Sequence, residues 1–212
     1  MYVGHYTAAA VLVTLVPDSP VLPAAIGVAW PDLVWPVLVL IGREKVTLDR
    51  ADPLQRAIRF DFYPVSHSLV LSNILALLPA AVVALAYQSI TAGVVFWFAA
   101  ISHWFLDLVV HLRDLPVVGI GAHDHKFGAG LWLHPKSAFI IEYLFLAGVV
   151  LATARPSLWP GVLGGGLFLH LLNANSFFGL TKANPSSTPT RLAMITLTGY
   201  LAAITWFASA WQ

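Results

Sequence analysis

Ser102-His103-Trp104-Phe105-Leu106-Asp107, followed by His111, sets three ionisable side chains four residues apart in an otherwise apolar stretch. On a helix that spacing turns each successive side chain by about 40° and keeps them on one face. A histidine and an aspartate one turn apart offer two ligands to one metal ion. The same pair also suits an outer role, in which the carboxylate takes the imidazole N–H and fixes its tautomer. Three other places add similar groups: His5 after Gly4, Asp32 between Pro31 and Trp35-Pro36, and His67 in Ser66-His67-Ser68-Leu69. Together His5, Asp32, His67, His103 and Asp107 come from four segments of chain. Their convergence would suit zinc, manganese or iron better than magnesium or calcium, because imidazole nitrogen dominates the set. Asp32 or Asp107 would serve as general base instead of ligand, and spacing leaves both assignments open.

The elements that must position these groups are membrane segments. Of 212 residues, 58% are hydrophobic and only 10% charged, and the mean hydropathy is +0.79. A soluble domain carries about 25% charged residues. No Asp, Glu, Lys or Arg lies between Asp61 and Asp107, between Arg155 and Lys182, or after Arg191. The first of these runs is long enough for two spans of about 20 residues. A soluble enzyme, a nucleic-acid binder and a disordered chain are excluded, and the lipid bilayer is the first partner. The chain has no cysteine, which excludes disulfides, thiolate metal sites and cysteine nucleophiles. No basic residue precedes the first apolar stretch and no small-residue cleavage signal follows it. Met1 is therefore expected to be the true start, with the first segment retained.

The predicted architecture is a single all-α, polytopic transmembrane bundle of about six to seven membrane segments. Residues 1–42 form an N-terminal hairpin, with a first stretch too short to span and a second broken by Pro23, Pro31 and Pro36. Residues 43–64 are the long polar loop, with five basic and four acidic residues from Arg43 to Phe62, read as an external loop or interfacial helix. Residues 65–112 are a helical hairpin of two clean spans, Val65–Tyr87 and Ile90–Leu112, that carries the His and Asp motifs. Residues 113–135 form a Gly- and His-containing loop. Residues 136–212 hold three C-terminal spans, near Lys136–Ala154, Trp159–Leu180 and Arg191–Trp211. Ten of the eleven basic residues then fall on one side, with Arg155 alone on the other. The positive-inside rule makes the long loops cytoplasmic, in a multi-pass protein of the inner membrane.

Other polar residues have plainer readings. His170, mid-span beside Gly164-Gly165-Gly166, suits a hydrogen bond to a neighbouring helix at a close crossing. Those surroundings also admit a haem or chlorophyll with His170 as axial ligand. Glu142, one turn into a span, reads as an inter-helix hydrogen bond or ion pair. His123-Asp124-His125 is a short loop with a weaker claim to metal. The tryptophans Trp30, Trp35, Trp159 and Trp211 fall near predicted span ends, as in interfacial belts.

In order, Gly4-His5, Pro31-Asp32, Ser66-His67-Ser68-Leu69 and Ser102-His103-x-x-x-Asp107 resemble the membrane-bound metal-dependent hydrolases, small inner-membrane proteins described as LexA-binding hydrolases. That family runs Gly-His, then Pro-Asp-x-Asp-His-Pro, then His-Arg-Gly-x-Thr-His-Ser, then Ser-His-x-x-x-Asp. The likeness covers the first half of the chain. The family's second aspartate falls at Val34 and its following histidine at Trp35, and Phe62-Tyr63-Pro64-Val65 replaces the His-Arg-Gly lead-in. In a two-metal family those losses would remove one ion. Asp61-Phe62-Tyr63 and Gly130-Leu131-Trp132 also resemble a group of polytopic bacterial proteins. The resemblance implies a metal-dependent hydrolase near the cytoplasmic face, with zinc or manganese held by the five named residues. A site near the lipid boundary suggests an amphiphilic substrate such as a phospholipid or isoprenoid phosphate. The alternative is a non-catalytic subunit of a larger membrane complex, photosynthetic or respiratory, that contacts haem or chlorophyll through His103, His111 or His170. A transporter ranks last, since no repeat or paired broken helices appear.

Overall fold

The computed structural model describes residues 1–121 and 124–212. It is mostly helical. After a short turn at Val3–His5 come α1 (Tyr6–Leu15) and α2 (Val21–Leu40), then an antiparallel pair, β1 (Lys45–Leu48) and β2 (Ile58–Phe62). Three short helices follow: α3 (Pro64–His67), α4 (Leu71–Leu75) and α5 (Leu77–Ala86). The long α6 (Ile90–Val110) leads to a two-residue strand pair, β3 (Leu115–Pro116) with β4 (Lys126–Phe127). The chain closes with α7 (Pro135–Thr153), α8 (Trp159–Leu172), α9 (Asn175–Phe178) and α10 (Pro189–Ala210).

Four of these helices, α2, α6, α7 and α10, are long and apolar enough to cross a membrane. Helix α8 has 14 residues, about 21 Å at 1.5 Å per residue, which falls short of a hydrocarbon core of about 30 Å. The span expected over Trp159–Leu180 therefore becomes a short helix that ends at Leu172 and a single turn beyond it.

Three further expectations are revised. The Pro-broken stretch is one continuous helix, with Pro31 and Pro36 inside α2. Each proline removes a donor, to the Gly27 and Asp32 carbonyls respectively, and elsewhere that kinks or ends a helix. Here α6 and α10 both pack along α2 and hold its course. The clean span from Val65 is interrupted at Ser68, whose backbone is extended (φ −80°, ψ 146°). The cause is competition for donors: the N–H groups of Leu69, Val70 and Leu71 bond the carbonyls of Pro116, Val117 and Val118 instead of continuing a helix. The polar stretch after Arg43 is a β-hairpin rather than an interfacial helix, with Val46 and Ile58 turned inward.

The core lies where α1, α2, α6, α7 and α10 meet. It is built from small residues, Ala9, Ala24, Ala25 and Ala99, interleaved with Tyr6, Leu146 and Phe207. In lipid, helix association depends on close backbone approach rather than on expelling water, so small residues carry it. Gly27 shows this most directly: a Cβ there would stand 2.5 Å from the Phe96 carbonyl oxygen and 2.7 Å from Ala99 Cβ. That approach brings Asp32 on α2 opposite His103 and Asp107 on α6.

Gly27→Leu should therefore lower the melting temperature of the detergent-solubilised protein, by an overpacking cost of about 1–3 kcal/mol or more. Gly164→Ala is the control, because nothing lies within 4 Å of its added Cβ. It should leave stability unchanged or raise it by up to about 1 kcal/mol. Equal melting curves for the two variants would overturn the role given to the α2–α6 crossing.

Candidate metal centre

Four segments deliver polar side chains to one point. His5 ends the opening turn before α1, and Asp32 lies eight residues before the end of α2, about 12 Å inside the helix. His67 ends α3, where the backbone turns extended. His103 and Asp107 share a face of α6, and His111 caps its C-terminus. The loops 43–62, 113–121 with 124–134, and 173–188 gather over this end, tied by bonds such as Asn184 N to the Arg50 carbonyl and Ala129 N to the Leu108 carbonyl.

Asp107 is the centre of the cluster. Its Oδ1 lies 3.1 Å from His5 Nε2, and its Oδ2 lies 3.2 Å from His103 Nε2, 3.4 Å from His111 Nε2 and 3.9 Å from His67 Nε2. Asp32 completes the set, with Oδ1 3.4 Å from His67 Nε2 and Oδ2 3.4 Å from His103 Nε2. Two overlapping groups of three offer one ligand atom apiece within 4.8 Å of each other: His5, His103 and Asp107, and Asp32, His67 and His103. Ligands at about 2.0–2.1 Å around a tetrahedral ion stand about 3.4 Å apart, which matches these separations. All five predicted ligands thus meet at one place.

The outer hydrogen bonds decide which nitrogen faces inward. His103 Nδ1 lies 2.7 Å from the Val28 carbonyl oxygen. A carbonyl can only accept, so Nδ1 carries the hydrogen and, in the neutral ring, Nε2 carries a lone pair. That Nε2 is buried and makes no directed hydrogen bond, nor does either nitrogen of His5. The His103 lone pair held against carboxylate oxygens at 3.2–3.4 Å is repelled unless a cation or a proton lies between them. His67 follows the same logic: its Nδ1 is 2.7 Å from Ser66 Oγ, which donates to Glu44 Oε2 at 2.6 Å. His111 Nδ1 is 3.0 Å from Asp114 Oδ1 and 3.3 Å from the Tyr63 hydroxyl. Three imidazoles are thus braced from outside through Nδ1, with Nε2 aimed at the carboxylates. This is the usual second layer of a histidine metal site. His5 is braced differently, stacked on His103 with centroids 3.7 Å apart.

Glu44 is buried and takes two further bonds, from the N–H groups of Val65 and Ser66. Burial raises its carboxyl above the ordinary glutamate range, against the pull of the Ser66 hydroxyl and N–H. Glu142 accepts from the N–H groups of Tyr2 and Gly4 and so anchors the segment that carries His5. Gly4 has a spatial reason: a Cβ there would stand 2.7 Å from Met1 Sδ and 3.1 Å from Glu142 Cγ. The Met1 α-amino group lies 2.6 Å from Asp107 Oδ1.

The sequence did not single out Glu44, Ser66 or Asp114 as parts of the site, nor His111 among the five metal ligands. His111 had a signal in its four-residue spacing from Asp107. Glu44 had none, since it sits among the charges of a polar loop. His170 stands elsewhere: its Nε2 donates to the Phe139 carbonyl at 2.8 Å, and its ring stacks on Phe139 at 3.8 Å. This is the hydrogen bond to a neighbouring helix. His123 lies outside the described residues, and Asp124 accepts from the N–H groups of Val118 and Gly119, which closes its own loop. Comparison with protein-family models, curated proteins and solved structures finds no match, so the geometry carries the functional argument.

Ser66→Ala removes the hydroxyl that joins His67 to Glu44. It should weaken zinc or manganese binding by about 10–100-fold in a chelator competition while leaving the helical circular dichroism unchanged. Wild-type affinity in that variant would show that the outer chain does not support the site.

Proposed function

We propose that this chain is a membrane-embedded, metal-dependent hydrolase. The observation that carries the reading is the meeting of His5, Asp32, His67, His103 and Asp107 within the bundle, with imidazole lone pairs turned toward two carboxylates. Ionisable groups at membrane depth are costly and mark function by default. The imidazole-rich donor set suits zinc or manganese. A divalent ion held there would lower the pKa of a water toward neutrality and polarise the bond to be cleaved.

The chain's own groups divide the remaining work. Asp107 is 2% exposed and shared among four imidazoles, which makes it a ligand. Asp32 is 14% exposed and lines the cavity beside the cluster. It is the better placed of the two to take a proton from an attacking water. The chain His67–Ser66–Glu44 orients one imidazole, and His111–Asp114 orients another while reaching toward the surface. Val34 and Trp35 stand where the resembling family has a second aspartate and histidine, which favours one tightly held ion over two.

The setting is read in the same way. Ten of the eleven basic residues lie in the loops or in the first helical turns at the site's end of the bundle, so the site faces the cytoplasm from within the inner membrane. The short helices α1, α4–α5 and α8 complete about six to seven membrane segments around the four long ones.

His103→Ala should abolish bound metal in the purified protein, read by elemental analysis, because His103 belongs to both ligand groups. His170→Ala should leave metal content unchanged. Metal retained at wild-type stoichiometry in His103→Ala would sink the proposal.

A further inference from the structure

A cavity of about 560 Å³ opens beside the cluster, with Asp32, His67 and Asp107 at its inner end. That volume falls within the range of about 300–1,000 Å³ common for small-ligand sites. Its shape follows from how α8 and α10 cross. At one end they touch: the Trp206 indole covers Gly165 and Gly166, where an added Cβ would stand 2.3 Å and 2.8 Å from the ring, and Trp206 Nε1 donates to the Gly161 carbonyl. Toward the loops they part, and Leu169 and Leu172 of α8 face Ile195 and Gly199 of α10 across the cavity. Ile195 and Gly199 lie six and ten residues into α10, at depths of about 9 and 15 Å. Leu172 is 68% exposed and Ile195 53% exposed, so the gap is bordered on both helices by uncovered apolar side chains.

The charges select what enters. Asp32, Asp107 and Glu142 line the cavity, and no Lys or Arg is among the described residues that do so. The one ammonium there, on Met1, is already 2.6 Å from Asp107. Asp32 and Asp107 already balance the charge of a divalent ion and Glu142 adds a further negative charge, so a phosphate head would find no guanidinium or lysine to take its own charge, which is costly away from water. The polar groups toward the loops, such as Gln55, Asn184 and Ser186, are neutral.

We infer that the cavity takes a lipid with one hydrocarbon chain and an uncharged ester head, which enters sideways from the bilayer between α8 and α10. The inference rests on the hydrolase reading and narrows the amphiphilic substrate to a neutral acyl ester. Water adds to the ester carbonyl, the bond from that carbon to the alcohol oxygen breaks, and the proton released from the water passes through Asp32 to the leaving alcohol. The products are a carboxylic acid and an alcohol, and no oxidant or reductant is needed.

The test uses the zinc-loaded full chain in neutral detergent, with 1-oleoylglycerol and 1-oleoylglycerol 3-phosphate as probes. Binding is read by native mass spectrometry, oleate release by chromatography and zinc by elemental analysis of the same samples. The neutral ester should bind at least tenfold more tightly than the phosphate and release oleate. Gly199→Trp fills the cavity wall, and the atoms nearest its Cβ would be those of Tyr2, at 3.5–3.8 Å. That variant should lose at least tenfold in both binding and release at unchanged zinc content. Ile195→Trp, at the exposed mouth, repeats the test where the first variant folds poorly. Equal or tighter binding of the phosphate overturns the proposed class. Wild-type binding and release in both zinc-replete variants overturns the proposed path. A wild-type chain without zinc sinks the hydrolase reading instead, and the binding comparison in that sample still decides what the cavity holds.

Discussion

The arrangement at the heart of this protein turns on one carboxylate. Asp107 lies within 4 Å of four imidazole nitrogens, and both it and Asp32 are held inside the bundle, away from bulk water. Two carboxylates at that depth carry a desolvation cost that neutral histidines alone do not repay. The outer bonds increase the demand for a cation. His103 gives its Nδ1 hydrogen to the Val28 carbonyl, and His111 directs its Nδ1 at Asp114. Nitrogen lone pairs and carboxylate oxygens are thereby brought to the same small volume, and positive charge between them relieves the conflict.

That convergence requires close helix approach, and the helices permit it through what they lack. Gly27 lets α2 come against the Phe96 carbonyl of α6, and this contact puts Asp32 within reach of His103. Gly4 does the same for the opening turn against Glu142. The prolines of α2 have a related effect. Pro31 and Pro36 interrupt its backbone ladder on either side of Asp32, and the Val28 carbonyl, next to the first interruption, accepts from His103. A kink-prone segment gripped by two neighbours thus becomes a continuous support for a carboxylate and an acceptor at once.

The two ends of α8 serve opposite purposes. Glycines under Trp206 close one end tightly, and the parting of α8 from α10 leaves the other end open at membrane depth. The site thereby joins two environments. Its inner end is polar and braced by hydrogen bonds, whereas its outer wall is leucine and isoleucine facing lipid. A neutral single-chain ester matches both, and the lack of lysine or arginine among the described lining residues sets it apart from phosphorylated lipids.

Much of this was legible in the sequence. Uncharged runs and basic loops marked a membrane protein, and the four-residue spacing of His103, Asp107 and His111 marked one face of one helix. Both are local patterns, set by hydropathy and by the 3.6-residue turn. The five ligand candidates were visible as ionisable residues where lipid disfavours them. Their outer partners were not, because Glu44 becomes special only when the hairpin folds it against Ser66, and Val28 contributes a backbone atom that any residue would supply. Only the tertiary structure decided that α2 runs unbroken through its prolines, since flanking helices, not local propensity, hold it. The break at Ser68 was equally hidden, because its cause is backbone hydrogen bonding to residues almost fifty positions away. Composition determined the solvent this chain lives in, and packing determined which of its rare polar groups meet.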